Sequence, residues 1–352
     1  MTIIIETYSG TPEELADFVG MVWTSSYAGK MTFPKWTPDY FRWQLRLIGS
    51  QRPQNLLAAY EGTALVGVLL GTDYSFRTPM GVLPGSLWSW LSIHPDHRGK
   101  GIAKALDEER VRRQRANGSR LIVSYRYVGS KHSQAERPHT NSPQKRFHAK
   151  LGFWARVLDP ARFAQWHYSR VEGFLARLTG PLAPHLRTDP NETKIREFVN
   201  QDLDACLALM QESQPVAAWG VDWDRASLAH HLCGSPLSQT LILLENERIA
   251  GLINFHVLPF QARTIEKVGV IDLMAFRDIS SGGRVRLIRT VLSRMVEQNV
   301  ILALKLRCGD TSAWPILRTG FVPQPAESFL VLQWTGDPVE IPSRSKAHLL
   351  WR

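Results

Sequence analysis

The sequence predicts a mixed α/β protein in which one pattern of strands and helices occurs twice. Three observations predict it. Apolar hairpins with a central glycine recur, "YEGTALVGVLLG" at 60–71 and "LENERIAGLINF" at 244–255, setting Gly67 against Gly251 at an offset of 184. The strands "LWSWLSI" (87–93) and "GVIDLMA" (269–275) match at an offset of 182, and each precedes a glycine-bearing turn and an amphipathic helix. "RLIVSYR" (120–126) and "ILALKLR" (301–307) match at 181, and "KLGF" (150–153) and "RTGF" (318–321) at 168. Matching order with offsets that shrink in small steps is what a duplicated domain gives.

The elements of the first copy follow in order. Ile3–Glu6 alternates as a strand. Thr11 opens a helix with Glu13 and Glu14 in its first turn, where acids suit the helix dipole. Thr37-Pro38 opens a second helix to about Leu47. Strands are expected at 56–60, 64–71 and 86–93. A helix is expected over 101–115, with acids early (Asp107, Glu108, Glu109) and bases late (Arg110, Arg112, Arg113, Arg115). A strand at 120–126 follows, then a helix at 142–150 and a strand from Phe153. The drop in offset from 181 to 168 gives the first copy an extra loop, "YVGSKHSQAERPHTNS", with Lys131, His132, Arg137 and His139. Its polar, turn-rich composition places it on the surface. Asp159-Pro160 starts another helix. The proline-rich "TGPLAPHLRTDPNET" reads as a linker, so the boundaries fall at 1–180, 181–194 and 195–352. The tail "SKAHLLWR" is expected to pack back on the first copy.

Length and composition agree. The chain has 352 residues, enough for two cores of ordinary size. No run of about 18 apolar residues occurs, and the start lacks the marks of a secretory signal, so a cytoplasmic protein is expected. Cys206, Cys233 and Cys308 are too few and too scattered for a disulfide framework or a zinc site, and read as buried free thiols. The spacing of His132 and His139 supports no metal site. The net charge of +10 suits an anionic partner without choosing one.

The most specific stretch is "LSIHPDHRGKGIAKAL", residues 91–106. It sets Arg98, Gly101 and Ala103 in the spacing R-x-x-G-x-A between a strand and a helix. A helix N-terminus offers unsatisfied N–H groups and a positive partial charge. Glycines let that backbone approach a phosphate closely, and Arg98 and Lys100 add formal charge. GxGxxG and GxxxxGK[ST] are both absent, so neither a dinucleotide fold nor a P-loop is supported.

This stretch resembles the acyl-CoA signature of the GNAT acyltransferase superfamily, and "NSPQKRFHAKLGF" (141–153) resembles that family's second signature. The resemblance covers about residues 1–158 and, more weakly, 195–335. It implies two tandem GNAT-like domains and acetyl-CoA as cosubstrate, without a metal. Leu91, Ser92 and Ile93 would offer backbone to the pantetheine arm. Arg98, Gly99, Lys100, Gly101, Ile102 and Ala103 would hold the pyrophosphate, and Asn141 would contact the pantetheine or the reacting centre.

Two departures bear on catalysis. His148 stands where many members carry the tyrosine that protonates the leaving thiolate, and a histidine can serve near neutrality. The strand that often carries a glutamate base reads "SLWSWLSI", whose polar side chains are serines. Ser92 and His148 are the catalytic candidates. Trp88 and Trp90 are expected on one face of that strand. At the equivalent place the second copy reads "AFRDISSGGRVRLI", where Ser280, Gly283 and Val285 replace Arg98, Gly101 and Ala103. The second copy therefore reads as degenerate.

The resemblance implies an N-acetyltransferase moving acetyl from acetyl-CoA to a primary amine of a small molecule or peptide by direct attack. It involves no membrane and no nucleic acid; a homodimer stays open. Two alternatives remain at this point: an acyl-CoA sensor with reduced catalysis, and a tandem-domain aminoacyl or fatty-acyl transferase.

Overall fold

A computed structural model describes residues 2–47, 53–127, 144–169, 171–173, 184, 186, 194–213, 219–342 and 346–352. The first half holds β1 (Ile3–Thr7), α1 (Pro12–Tyr27), β2 (Phe33–Pro34), α2 (Pro38–Gln44), β3 (Leu56–Glu61), β4 (Ala64–Thr78), β5 (Gly81–Ile93), α3 (Ile102–Ala116), β6 (Leu121–Tyr127), β7 (Lys145–Val157) and α4 (Pro160–Trp166). The second holds β8 (Ile195–Glu197), α5 (Leu203–Ser213), β9 (Trp219–Asp222), α6 (Arg225–Cys233), β10 (Ser238–Glu245), β11 (Arg248–Gln261), β12 (Ile265–Phe276), α7 (Ser281–Glu297), β13 (Leu302–Arg307), α8 (Ala313–Arg318), β14 (Val322–Pro323), β15 (Ser328–Trp334) and β16 (Ala347–His348).

Local chemistry sets the helix starts. Thr11 caps α1 through a reciprocal capping box with Glu14, Thr37 accepts the Tyr40 N–H at the start of α2, and Asp159 caps α4. The two halves repeat one pairing pattern. β3, β4 and β5 run antiparallel and β6 joins β5 in parallel. β10, β11 and β12 run antiparallel and β13 joins β12 in parallel.

The halves are not two separate sheets. The main path runs β1-β3-β4-β5-β6-β15-β7-β13-β12-β11-β10-β8. β15, from the second half, lies between β6 and β7 of the first. β7 pairs with β15 along Lys145–Leu151 and with β13 along Gly152–Val157. Each half thus lends a strand to the other. A central cluster gathers Phe76, Leu87 and Val123 of the first half with Trp219, Leu273 and Leu332 of the second. The C-terminal segment packs on the first copy: the Arg352 guanidinium donates to the Gln44 carbonyl at 3.2 Å and to Thr72 Oγ1 at 2.9 Å.

Several expectations are corrected. Of the helix expected at 142–150, Lys145 onward is strand instead, and Lys145–Val157 is one continuous strand. Its two flanking strands supply ladder bonds that outweigh the local helical spacing. Gly152 therefore lies inside a strand, whereas Gly320 follows α8 at φ +84°, so "KLGF" and "RTGF" are not equivalent. Cys206 and Cys308 are buried, but Cys233 is exposed. The loop residues Lys131, His132, Arg137 and His139 and nearly all of the linker lie outside the described residues. Among the described residues no helix is long and apolar enough to cross a membrane.

Candidate functional site

The site begins where β5 and β6 part. Their parallel pairing ends at Trp88 opposite Ser124, although β5 continues to Ile93 and β6 to Tyr127. Among the described residues, 89–93 keep β4 on one side and pair with no strand on the other. Leu91 is half exposed at this edge, while Ser92 is buried.

A bulge interrupts β5 here. Val68 faces Ser92 and Leu70 faces Ser89, so Trp90 and Leu91 together oppose Leu69. Trp90 takes a left-handed backbone conformation, φ +55°. For a tryptophan this is an outlier, held because its surroundings fix it. It overturns the expectation of a shared face. Trp88 packs under α3 with Ile102 and Leu106, whereas Trp90 packs under α1 and α2 with Trp36, Tyr40 and Phe41.

The turn after β5 carries Arg98 to Ala103. Gly99 and Gly101 both have φ +80°, and a Cβ at either would meet open space. Gly101 is the N-cap of α3 and offers no side chain to the first N–H groups of the helix. The first N–H groups of the helix thus donate no hydrogen bond to a capping side chain. Arg98 is held beside them: its Nη2 donates to Ser26 Oγ at 2.8 Å and its Nε to the Ile93 carbonyl at 3.4 Å. Burial raises the Tyr27 hydroxyl pKa, opposed by the nearby Arg98 charge. Sequence reasoning missed Ser26 and Trp23, whose Nε1 donates to Ser92 Oγ at 3.1 Å. They lie one turn apart on α1 and no motif marks them.

His148 is not brought to this site. It lies on β7, which β15 separates from β6. Its ring is edge-on to Trp219 at 5.4 Å, and among the described residues its buried Nδ1 has no hydrogen-bond partner. Burial, then Arg146, lowers its pKa to about 4, so it is neutral at pH 7. A neutral buried imidazole with a strand between it and β6 does not suit the thiolate-protonating role expected of it. Asn141 lies outside the described residues.

The second half differs at both matching places. Ser280 caps α7, its Oγ accepting the Gly283 N–H at 3.1 Å, and Val285 is buried. Where β12 and β13 part, after Ile271 opposite Lys305, the Lys305 ammonium donates to both oxygens of Asp310 at 2.8 Å. Asp310 lies 3.8 Å from His348 Nδ1. Burial pushes the Asp310 pKa up, but Lys305 and His348 hold it well below the carboxylate range.

The carboxylate missing from β5 is present on β12. Asp272 stands 182 positions after Trp90, and the ladder between β11 and β12 also slips beside it. Its Oδ2 lies 3.1 Å from His256 Nδ1 and 3.7 Å from His231 Nε2, all three buried.

Strands that part beside a bulge, followed by a glycine turn and an uncapped helix, belong to the GNAT-type acyltransferase fold. The chain is similar in structure to Saccharomyces cerevisiae N-myristoyltransferase with bound myristoyl-CoA, at TM-score 0.75 and 12% identity over 99% of this chain and 89% of that one. It is also similar to a GCN5-related N-acetyltransferase from Anabaena variabilis, at TM-score 0.51 and 11% identity over 95% and 73%. At these identities the likeness is one of fold. No protein-family model and no curated protein matches the sequence.

Proposed function

We propose that the chain is an acyl-CoA-dependent N-acyltransferase, with acetyl-CoA as donor and a primary amine of a small molecule or peptide as acceptor. One contrast carries the reading. The helix after β5 leaves its first N–H groups without a side-chain cap behind two left-handed glycines, whereas the matching helix of the second half is capped by its own Ser280. The fold alone does not require the open end. Gly99 to Ala103, with Arg98 and Lys100, suit a pyrophosphate. The free edge of Leu91 to Ile93 suits an extended amide-bearing arm.

The chain's own part is positioning and polarisation. Backbone N–H groups redirected by the bulge stabilise negative charge developing on a thioester oxygen. The neutral amine attacks directly, and the thiolate leaves with a proton from the amine. Ser92, engaged by Trp23, orients the strand. Residues 1–180 would carry the reaction, 181–194 would link, and 195–352 would serve as a scaffold with its own end closed. Three cysteines with no pair among them suit a reducing, cytoplasmic setting.

A second reading, an acyl-CoA-binding protein without turnover, is favoured by the lack of a carboxylate on β5. Thiol release from acetyl-CoA with spermidine, glycinamide and a lysine-bearing peptide separates the two. Acetyl-CoA should raise the melting temperature, and Arg98→Glu should remove the rise. A full rise in that variant would sink the cofactor assignment.

A further inference from the structure

We propose that Trp23, Trp36 and Trp90 form a stop that limits the donor to a short acyl group. The inference rests on the acyl-CoA reading above and fixes the chemical class of donor. With the phosphates at the α3 end, an arm lying along β5 from Ile93 towards Ser89 meets the point where β5 and β6 rejoin at Trp88 and Ser124. The acyl group must there leave the plane of the sheet beside Trp90.

On the α1 and α2 side it meets indoles already in contact. Trp23 is pinned by its hydrogen bond to Ser92. Trp23 meets Trp36 edge-on at 5.3 Å, and Trp36 meets Trp90 edge-on at 5.6 Å. Trp351 lies against Trp36 at 5.5 Å. Trp36 and Trp90 are buried, and among the described residues neither indole N–H has a hydrogen-bond partner. Rings in such contact leave no channel for a run of methylenes, because interiors are packed as densely as crystals.

The strained backbone of Trp90 gives the stop its reason. Regular β5 geometry would send this ring to the α3 side, with Trp88. The left-handed residue sends it beneath α1, against Trp36. Strain of this kind persists where function or packing holds it. The fold does not impose the stop, since the yeast protein of similar structure holds myristoyl-CoA.

Calorimetric titration with CoA, acetyl-CoA, octanoyl-CoA and myristoyl-CoA tests the proposal without an acceptor. In the wild type, acetyl-CoA should bind as well as CoA, and the two long-chain donors at least about tenfold more weakly. Trp36→Ala should bring octanoyl-CoA to within about threefold of acetyl-CoA. Trp36→Phe, which keeps a ring at a position that touches no proposed CoA-binding residue while shortening it, should shift the ranking the same way to a smaller degree, and unchanged binding of free CoA verifies its fold. Wild-type binding of myristoyl-CoA as tight as acetyl-CoA would overturn the stop. So would an unchanged chain-length ranking in a variant that still binds CoA. Failure of CoA and every acyl-CoA to bind the wild type would instead remove the acyl-CoA reading, and the stop with it.

Discussion

The Ser280 hydroxyl accepts the Gly283 N–H at 3.1 Å. It does for α7 what the first half leaves undone for α3. Ser280→Ala should therefore cost about 1 kcal/mol of stability, the usual worth of an N-cap. Urea unfolding measures it. The CoA response should not change, because this end holds no ligand in the proposed scheme.

Gly101 sits at φ +80° immediately before α3. Gly101→Val forces a branched side chain into a left-handed position. CoA affinity should fall about tenfold or more, with a smaller loss of melting temperature. Equal CoA affinity in calorimetry would show that the turn is dispensable.

Lys305 and Asp310 form a buried pair at 2.8 Å. Asp310→Asn removes the carboxylate paired with the ammonium and should cost about 3–5 kcal/mol. Lys305→Met with Asp310→Asn should recover much of that loss, since a buried pair replaced as a unit costs less than one broken. A double-mutant cycle in denaturant checks both statements.

His148 and His231 are held neutral by burial, with pKa lowered to about 4 and about 3. In the unfolded chain each titrates near 6.5. Below that pH the unfolded state takes up protons that the folded state refuses. Their stability contribution is full above about pH 6.5 and is lost progressively as pH falls towards 4 and 3. The melting temperature should therefore decline from pH 7 to pH 4.5, and less steeply in His148→Gln. An equal slope in that variant would contradict a neutral His148.

Much of this was legible in the chain. The strand ranges, the capped helices and the repeated order follow from alternation, N-cap residues and glycine-centred hairpins. The turn at Arg98–Ala103 was legible because its glycines mark left-handed backbone before a helix. Three things were not. Sequence periodicity carries no information on which half supplies a neighbouring strand, so the crossing of β7 and β15 was hidden. A bulge reverses the alternation of faces, so Trp90 was placed beside Trp88 when it faces away. The helix expected around His148 is a strand because the ladder on either side of it comes from the other half.

The interposed β15 also orders events during synthesis. β6, one wall of the proposed cofactor opening, has β15 as its other neighbour, and β15 ends at Trp334. A ribosome releases the glycine turn more than two hundred residues before that partner. Until then β6 shows an unpaired edge, the feature that invites aggregation in nascent chains. A chain stalled or cut before Ser328 therefore lacks the strand that separates β6 from β7.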